Sequence, residues 1–108
     1  MTKVEQPAAG VIALSGELLF GTVMAVRAEV EALLAKQTGA CQLDFGEVSR
    51  VDSSALALWL SCRRLAAHTG LELTARNLPA DMVSIADLVG LDGALGRARI
   101  LDHRELRA

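Results

Sequence analysis

The stretch "VSRVDSSALALWL", Val48 to Leu60, decides the fold, because within it a polar approach gives way at Asp52 to a leucine-rich helix. Asp52, Ser53 and Ser54 stand at the junction. Aspartate and serine are favoured at a helix start, where a side-chain oxygen accepts from an unpaired first-turn amide and a carboxylate complements the helix dipole. A helix therefore begins around Asp52 or Ser53, and Gly70 ends it.

Working outward, "CQLDF" (Cys41 to Phe45) reads as a strand and Gly46 to Arg50 as a short polar loop. Upstream, the apolar run Val11 to Leu14 reads as a buried strand closed by Ser15 and Gly16. From Thr22 to Lys36 the period changes. Val23, Val26, Val30, Leu33 and Leu34 recur at three- and four-residue steps, Arg27 and Glu31 face away as an i,i+4 pair, and Gly39 can supply the left-handed residue that ends this helix. Downstream, "LELTA" (Leu71 to Ala75) alternates as a strand. Pro79 suits a first helical position, and Met82, Ile85, Ala86, Leu88 and Val89 form an apolar stripe. Ala98 to Leu101 reads as a last strand and residues 102–108 as a charged tail. Strands alternating with helices give an α/β domain built on a small, mixed, mostly parallel sheet with helices packed against it. The whole chain, 1–108, is one domain with its core at about 11–95.

Composition narrows what such a domain does. With 108 residues it can bury about two thirds of its unfolded surface, and no disulfide or metal staple is needed. Apolar residues are 52% of the chain and aromatics only 3%, so Leu, Val, Ile and Ala must build the core. A net charge of −2 and the absence of Tyr leave neither a basic field nor stacking residues for nucleic acid. The N-terminal apolar run is too short for a signal peptide, and no stretch approaches the roughly 20 apolar residues of a membrane span. A cytoplasmic location is expected. Cys41 and Cys62 lack metal-ligand spacing and read as reduced core thiols.

Catalysis by either serine would need a base within reach. His68 stands 15 residues beyond Ser53 on the same helix, about 22 Å away at 1.5 Å per residue. His103 lies in the tail. "VDSSA" is not a G-x-S-x-G elbow, and no phosphate loop, dinucleotide fingerprint, metal set or pair of catalytic carboxylates occurs elsewhere. No catalytic residue, cofactor or metal is expected.

On a helical wheel, Ala55, Leu58, Cys62, Leu65 and Ala66 form the side that covers a sheet. Ser53, Leu56, Ala57, Leu60, Arg63, Arg64 and Ala67 form the opposite side, with Trp59 at the core rim between them. Unless a loop or the tail covers Leu56 and Leu60, the outer side is an apolar patch rimmed by polar groups, the usual mark of a protein interface.

With these segments in place, "CQLDF", "GEVSRVDSSALALWL", "LELTA" and "LPADMVSIADLVGL" resemble a STAS domain, the fold of anti-sigma-factor antagonists and of the cytoplasmic ends of sulfate transporters. The likeness spans about Val11 to Leu95 and implies that the "DSS" turn is exposed at a helix N-terminus. Within the family, "VSRVD", a hydroxyl residue and "LALWL" look most like MlaB, the STAS subunit of Mla-type phospholipid-transport ABC systems. That likeness implies a non-catalytic subunit, peripheral at the inner membrane, that docks on the transporter ATPase through Asp52, Ser53, Ser54, Leu56, Ala57, Leu60, Arg63 and Arg64. The alternative is an anti-sigma-factor antagonist. There a partner serine kinase phosphorylates the position of Ser54, although Ala55 stands where that branch has glycine.

Overall fold

The computed structural model describes residues 2–90, so the strand expected at Ala98 to Leu101 and the charged tail lie outside it. Four strands, β1 (Lys3–Ala8), β2 (Val11–Leu18), β3 (Ala40–Val51) and β4 (Glu72–Arg76), form one sheet in the order β1-β2-β3-β4. β1 runs antiparallel to β2, while β2, β3 and β4 are mutually parallel. The parallel crossovers carry α1 (Val23–Leu34) and α2 (Ser53–Thr69), and α3 (Ala80–Leu88) follows β4. Right-handed crossovers that step the same way across a sheet place their helices on one face. Here α1 packs on β2, α2 packs on β4, and α2 lies between α1 and α3.

The alternation expected of the strands fixes that face. Ile12, Leu14 and Leu18 of β2 and Cys41, Leu43 and Phe45 of β3 are buried under the helices, which contribute Val26, Val30, Leu34, Leu58, Cys62 and Met82. Phe45 meets Trp59 edge to face with ring centroids 6.4 Å apart, so Trp59 belongs to the core interior rather than its rim. The opposite face carries Gln42, Asp44, Thr74 and Arg76. There Arg76 donates to Asp44 Oδ2 (3.1 Å) and to Gln42 Oε1 (3.0 Å), and Asn77 donates to Asp44 Oδ1 (3.0 Å). These bonds outweigh the upward push of burial and hold the Asp44 carboxyl below its ordinary value.

Several expectations need correction. The stretch Gly46 to Arg50 is strand, not loop: β3 continues to Val51 alongside β2, with two register shifts at each of which β3 carries one extra residue. Gly16, at φ 87, sits beside the second shift in a conformation that glycine adopts without strain. β1 was not foreseen because five of its six residues are exposed and it includes Pro7, as an edge strand tolerates. α1 ends at Leu34, so left-handed Gly39 serves the entry to β3 instead of the helix end. α3 begins after Pro79 rather than on it. Of its stripe, Met82 and Ala86 are buried, whereas Leu88 and Val89 are exposed.

Candidate functional site

Leu18 and Val51 are register partners, so the carboxyl ends of β2 and β3 lie side by side and α1 and α2 both start from that edge. In sheets of this kind ligands and partners gather at the carboxyl ends of the parallel strands. Asp52 knits the edge together. Its own N–H donates to the Leu18 carbonyl (3.3 Å), Oδ1 accepts from the Ser54 N–H (2.8 Å), and Oδ2 accepts from the Phe20 N–H (3.0 Å). The Ser54 hydroxyl, on the same turn, also favours the charged form of this carboxylate. Partial burial pushes the Asp52 carboxyl upward, but the hydrogen bonds from Ser54 and Phe20 prevail and lower it below its ordinary value.

The two serines thus differ. Ser54 is half-buried and tied to Asp52 through its amide, whereas Ser53 is exposed. The "DSS" turn is a helix cap, and Ser53 stands outside the capping bonds described for Asp52. At the far end, left-handed Gly70 (φ 73) closes α2, as the sequence implies.

The outer strip of α2 is narrower than a two-sided wheel suggests. Ser53, Ala57, Arg63, Arg64 and Ala67 are exposed and Leu60 is half-buried. Leu56, expected on this face, is only 5% exposed, because the central helix is covered on its flanks by α1 and α3 as well as underneath by the sheet. On the α1 flank Ser61 is buried and donates to Glu31 Oε2 (3.2 Å). Glu31 in turn pairs with Arg27 at 3.0 Å, the i,i+4 bridge read from the sequence. Leu60, Arg63, Arg64 and Ala67 line a shallow depression of about 370 Å³. α2 contains no acidic residue, so this strip is apolar in its first half and cationic in its second.

Two further residues at this edge escaped the sequence reading. Phe20 is 83% exposed and Met24 is 70% exposed, four positions apart on the β2–α1 turn and the first turn of α1. The turn is fixed: the Thr22 hydroxyl donates to the Glu17 carbonyl (2.8 Å) and accepts from the Leu19 N–H (3.0 Å). A phenylalanine placed between a strand end and a helix start has no period to betray it; its only signal was its rarity, one of two in the chain.

Among the described residues no group of three His, Cys, Asp or Glu side chains could hold a metal ion. Cys41 and Cys62 are buried and unpaired with each other, and burial pushes the Cys62 thiol up to about 12. His68 is exposed at the opposite end of α2 from the serines, and His103 lies outside the described residues.

A family model described as "Mlab, STAS domain" matches residues 1–102. The chain belongs to the STAS domain family. Solved STAS structures agree with its fold. An anti-sigma factor antagonist from Mycobacterium paratuberculosis is 26% identical with a TM-score of 0.66, over 89% of this chain and 82% of that one. A sulfate transporter family protein from Wolinella succinogenes is 18% identical with a TM-score of 0.66, over 90% of this chain and 79% of that one. The Bacillus cell fate determinant SpoIIAA in its phosphorylated form is 20% identical with a TM-score of 0.63, over 84% and 85% of the two chains. No curated protein matches the sequence. Among the described residues of this STAS domain, no helix is long and apolar enough to cross a membrane.

Proposed function

We propose that this STAS domain is a non-catalytic subunit of an Mla-type phospholipid-transport ABC system, docked on the cytoplasmic ATPase and supporting a transporter that maintains outer-membrane lipid asymmetry. The observation that carries this is the outer strip of α2, where Ser53, Ala57 and Leu60 leave an apolar track ending in Arg63 and Arg64, on a helix whose other sides are covered. The family description, which names MlaB, supports the same choice. Asp52 and Ser54 shape the start of the strip, and Leu56 supports it from within. Association with the inner membrane then comes through the complex.

Ala57 offers a cleaner test than half-buried Leu60, because it is exposed at mid-strip. Ala57→Glu keeps a good helix former and should leave melting nearly unchanged while abolishing co-purification of an ABC ATPase, identified by mass spectrometry, from the native host. Retained co-purification of that ATPase by Ala57→Glu, or its absence from wild-type preparations, would refute the proposal.

A second reading, an anti-sigma-factor antagonist switched at Ser54 by a serine kinase, draws support from the 26% identity to the mycobacterial antagonist. Phosphorylation of Ser54 would replace its hydroxyl proton with a phosphoryl group and set a second anion beside the Asp52 carboxylate, which the Ser54 amide already bonds. Intact-mass measurement on protein from the native host separates the two: the transport reading expects no phosphate on Ser54, the antagonist reading a substantial phosphorylated fraction.

A further inference from the structure

A large aromatic that is mostly exposed is unusual in so aromatic-poor a chain, and the backbone that carries Phe20 is held in place. Its turn is locked on one side by the Thr22 hydroxyl and on the other by Asp52, whose two carboxylate oxygens divide their work between the Phe20 amide and the Ser54 amide. A backbone fixed in advance leaves only the side-chain rotamer to be ordered when a partner covers Phe20. Met24 stands one helical turn further on. Phenylalanine, methionine and arginine are among the residue types enriched at protein interfaces.

We infer that Phe20 and Met24 are the second half of the docking surface, an apolar anchor seated on the same ATPase, with Asp52 as the positioning residue that sets the anchor beside Ser53. The inference rests on the ATPase reading above and adds a bipartite footprint to it. The occupant is a partner face that is apolar where it meets Phe20 and acidic where it meets Arg64, since α2 carries only positive charge along its exposed strip. From Ser53 to Arg64 that strip extends about 16 Å, and the Phe20 backbone is bonded to Asp52, the residue that caps its start.

The complex of the wild-type chain with the ABC ATPase that co-purifies with it supplies the test. Phe20→Ser should weaken binding of that ATPase by about tenfold or more while the melting temperature of the isolated domain stays within a few degrees, and Met24→Ser should act in the same direction. Asp52→Asn isolates the positioning role: asparagine still caps α2 through its one carbonyl oxygen but has no second acceptor for the Phe20 amide. It should weaken binding in the wild-type background and cost nothing further once Phe20 is serine. If Ala57→Glu abolishes binding while Phe20→Ser and Met24→Ser bind as wild type, the anchor is refuted and the ATPase reading stands. If none of the three matters, both fall. An Asp52→Asn loss that persists in full beside Phe20→Ser overturns the positioning role.

Discussion

The two halves of β3 obey different rules. From Ala40 to Asp44 the strand pairs with β4, and from Gln42 onward with β2 as well, and Cys41 and Leu43 point into the core. From Gly46 to Val51 it pairs only with β2 among the described residues, through two register shifts, and not one residue is fully buried. The first half holds the domain together. The second is a bulged arm that carries Asp52 up to about 26 Å beyond the last β4 partner, Asp44, at about 3.3 Å per residue, and so presents the "DSS" turn at the edge of the molecule. Stability and presentation are thus separated along one strand.

Leu43→Ala in the first half should produce the largest loss, about 3 kcal/mol in denaturant unfolding, because Leu43 is fully buried and its removal leaves a cavity. Val48→Ala in the arm should cost less than about 1 kcal/mol, Val48 being only half-buried. Equal losses would break the contrast. Asp52→Ala removes a helix cap and should cost about 1 kcal/mol, with most of its consequence appearing in partner binding instead.

Acid tests both halves at once. Asp44 and Asp52 each have a carboxyl lowered from 3.8, so each contributes stability that is present above its unfolded value and lost as the pH falls through the lower folded one. The melting temperature should therefore be nearly flat from neutral pH down to about pH 5 and fall below about pH 4. Asp44→Asn with Asp52→Asn should flatten that descent; a descent of unchanged slope would show that other carboxylates cause it. The smallest effects belong to the ion pairs. Arg76→Ala should destabilise measurably because it strips two bonds from a network around Asp44, whose side chain is 17% exposed. Arg50→Ala, which breaks the exposed Arg50–Glu17 pair of the arm, should stay within about 0.5 kcal/mol by thermal melting.

The same contrast explains what the amino-acid pattern could disclose. β2, α1, the first half of β3, α2, β4 and α3 bury one side, so their apolar residues recur at a period of two or at helical steps. Asp52 and Gly70 are visible as the ends of α2 because capping is local chemistry. β1 and the arm are held by backbone hydrogen bonds while their side chains face water, and polarity alone makes such segments look like loops. Within the site, Ser53, Ala57 and Arg64 are exposed where a wheel drawn against one sheet puts them, but Leu56, put on the same side, is buried, because the wheel has no knowledge of the flanking helices. Phe20 depends on a turn that borrows its partner, Asp52, from 32 residues away.

The burial of both cysteines has a practical consequence. A thiol reagent reacts with the thiolate, and burial withholds it at Cys62, where the thiol is held near 12, and disfavours it at Cys41. Since these are the only two cysteines in the sequence, native protein should stay silent toward a maleimide dye and become reactive as it unfolds, giving a built-in optical reporter of the folded fraction. For the same reason a single cysteine introduced at Ala57 can be labelled alone without first removing the native pair, and a fluorophore there would sit directly on the surface assigned to the partner.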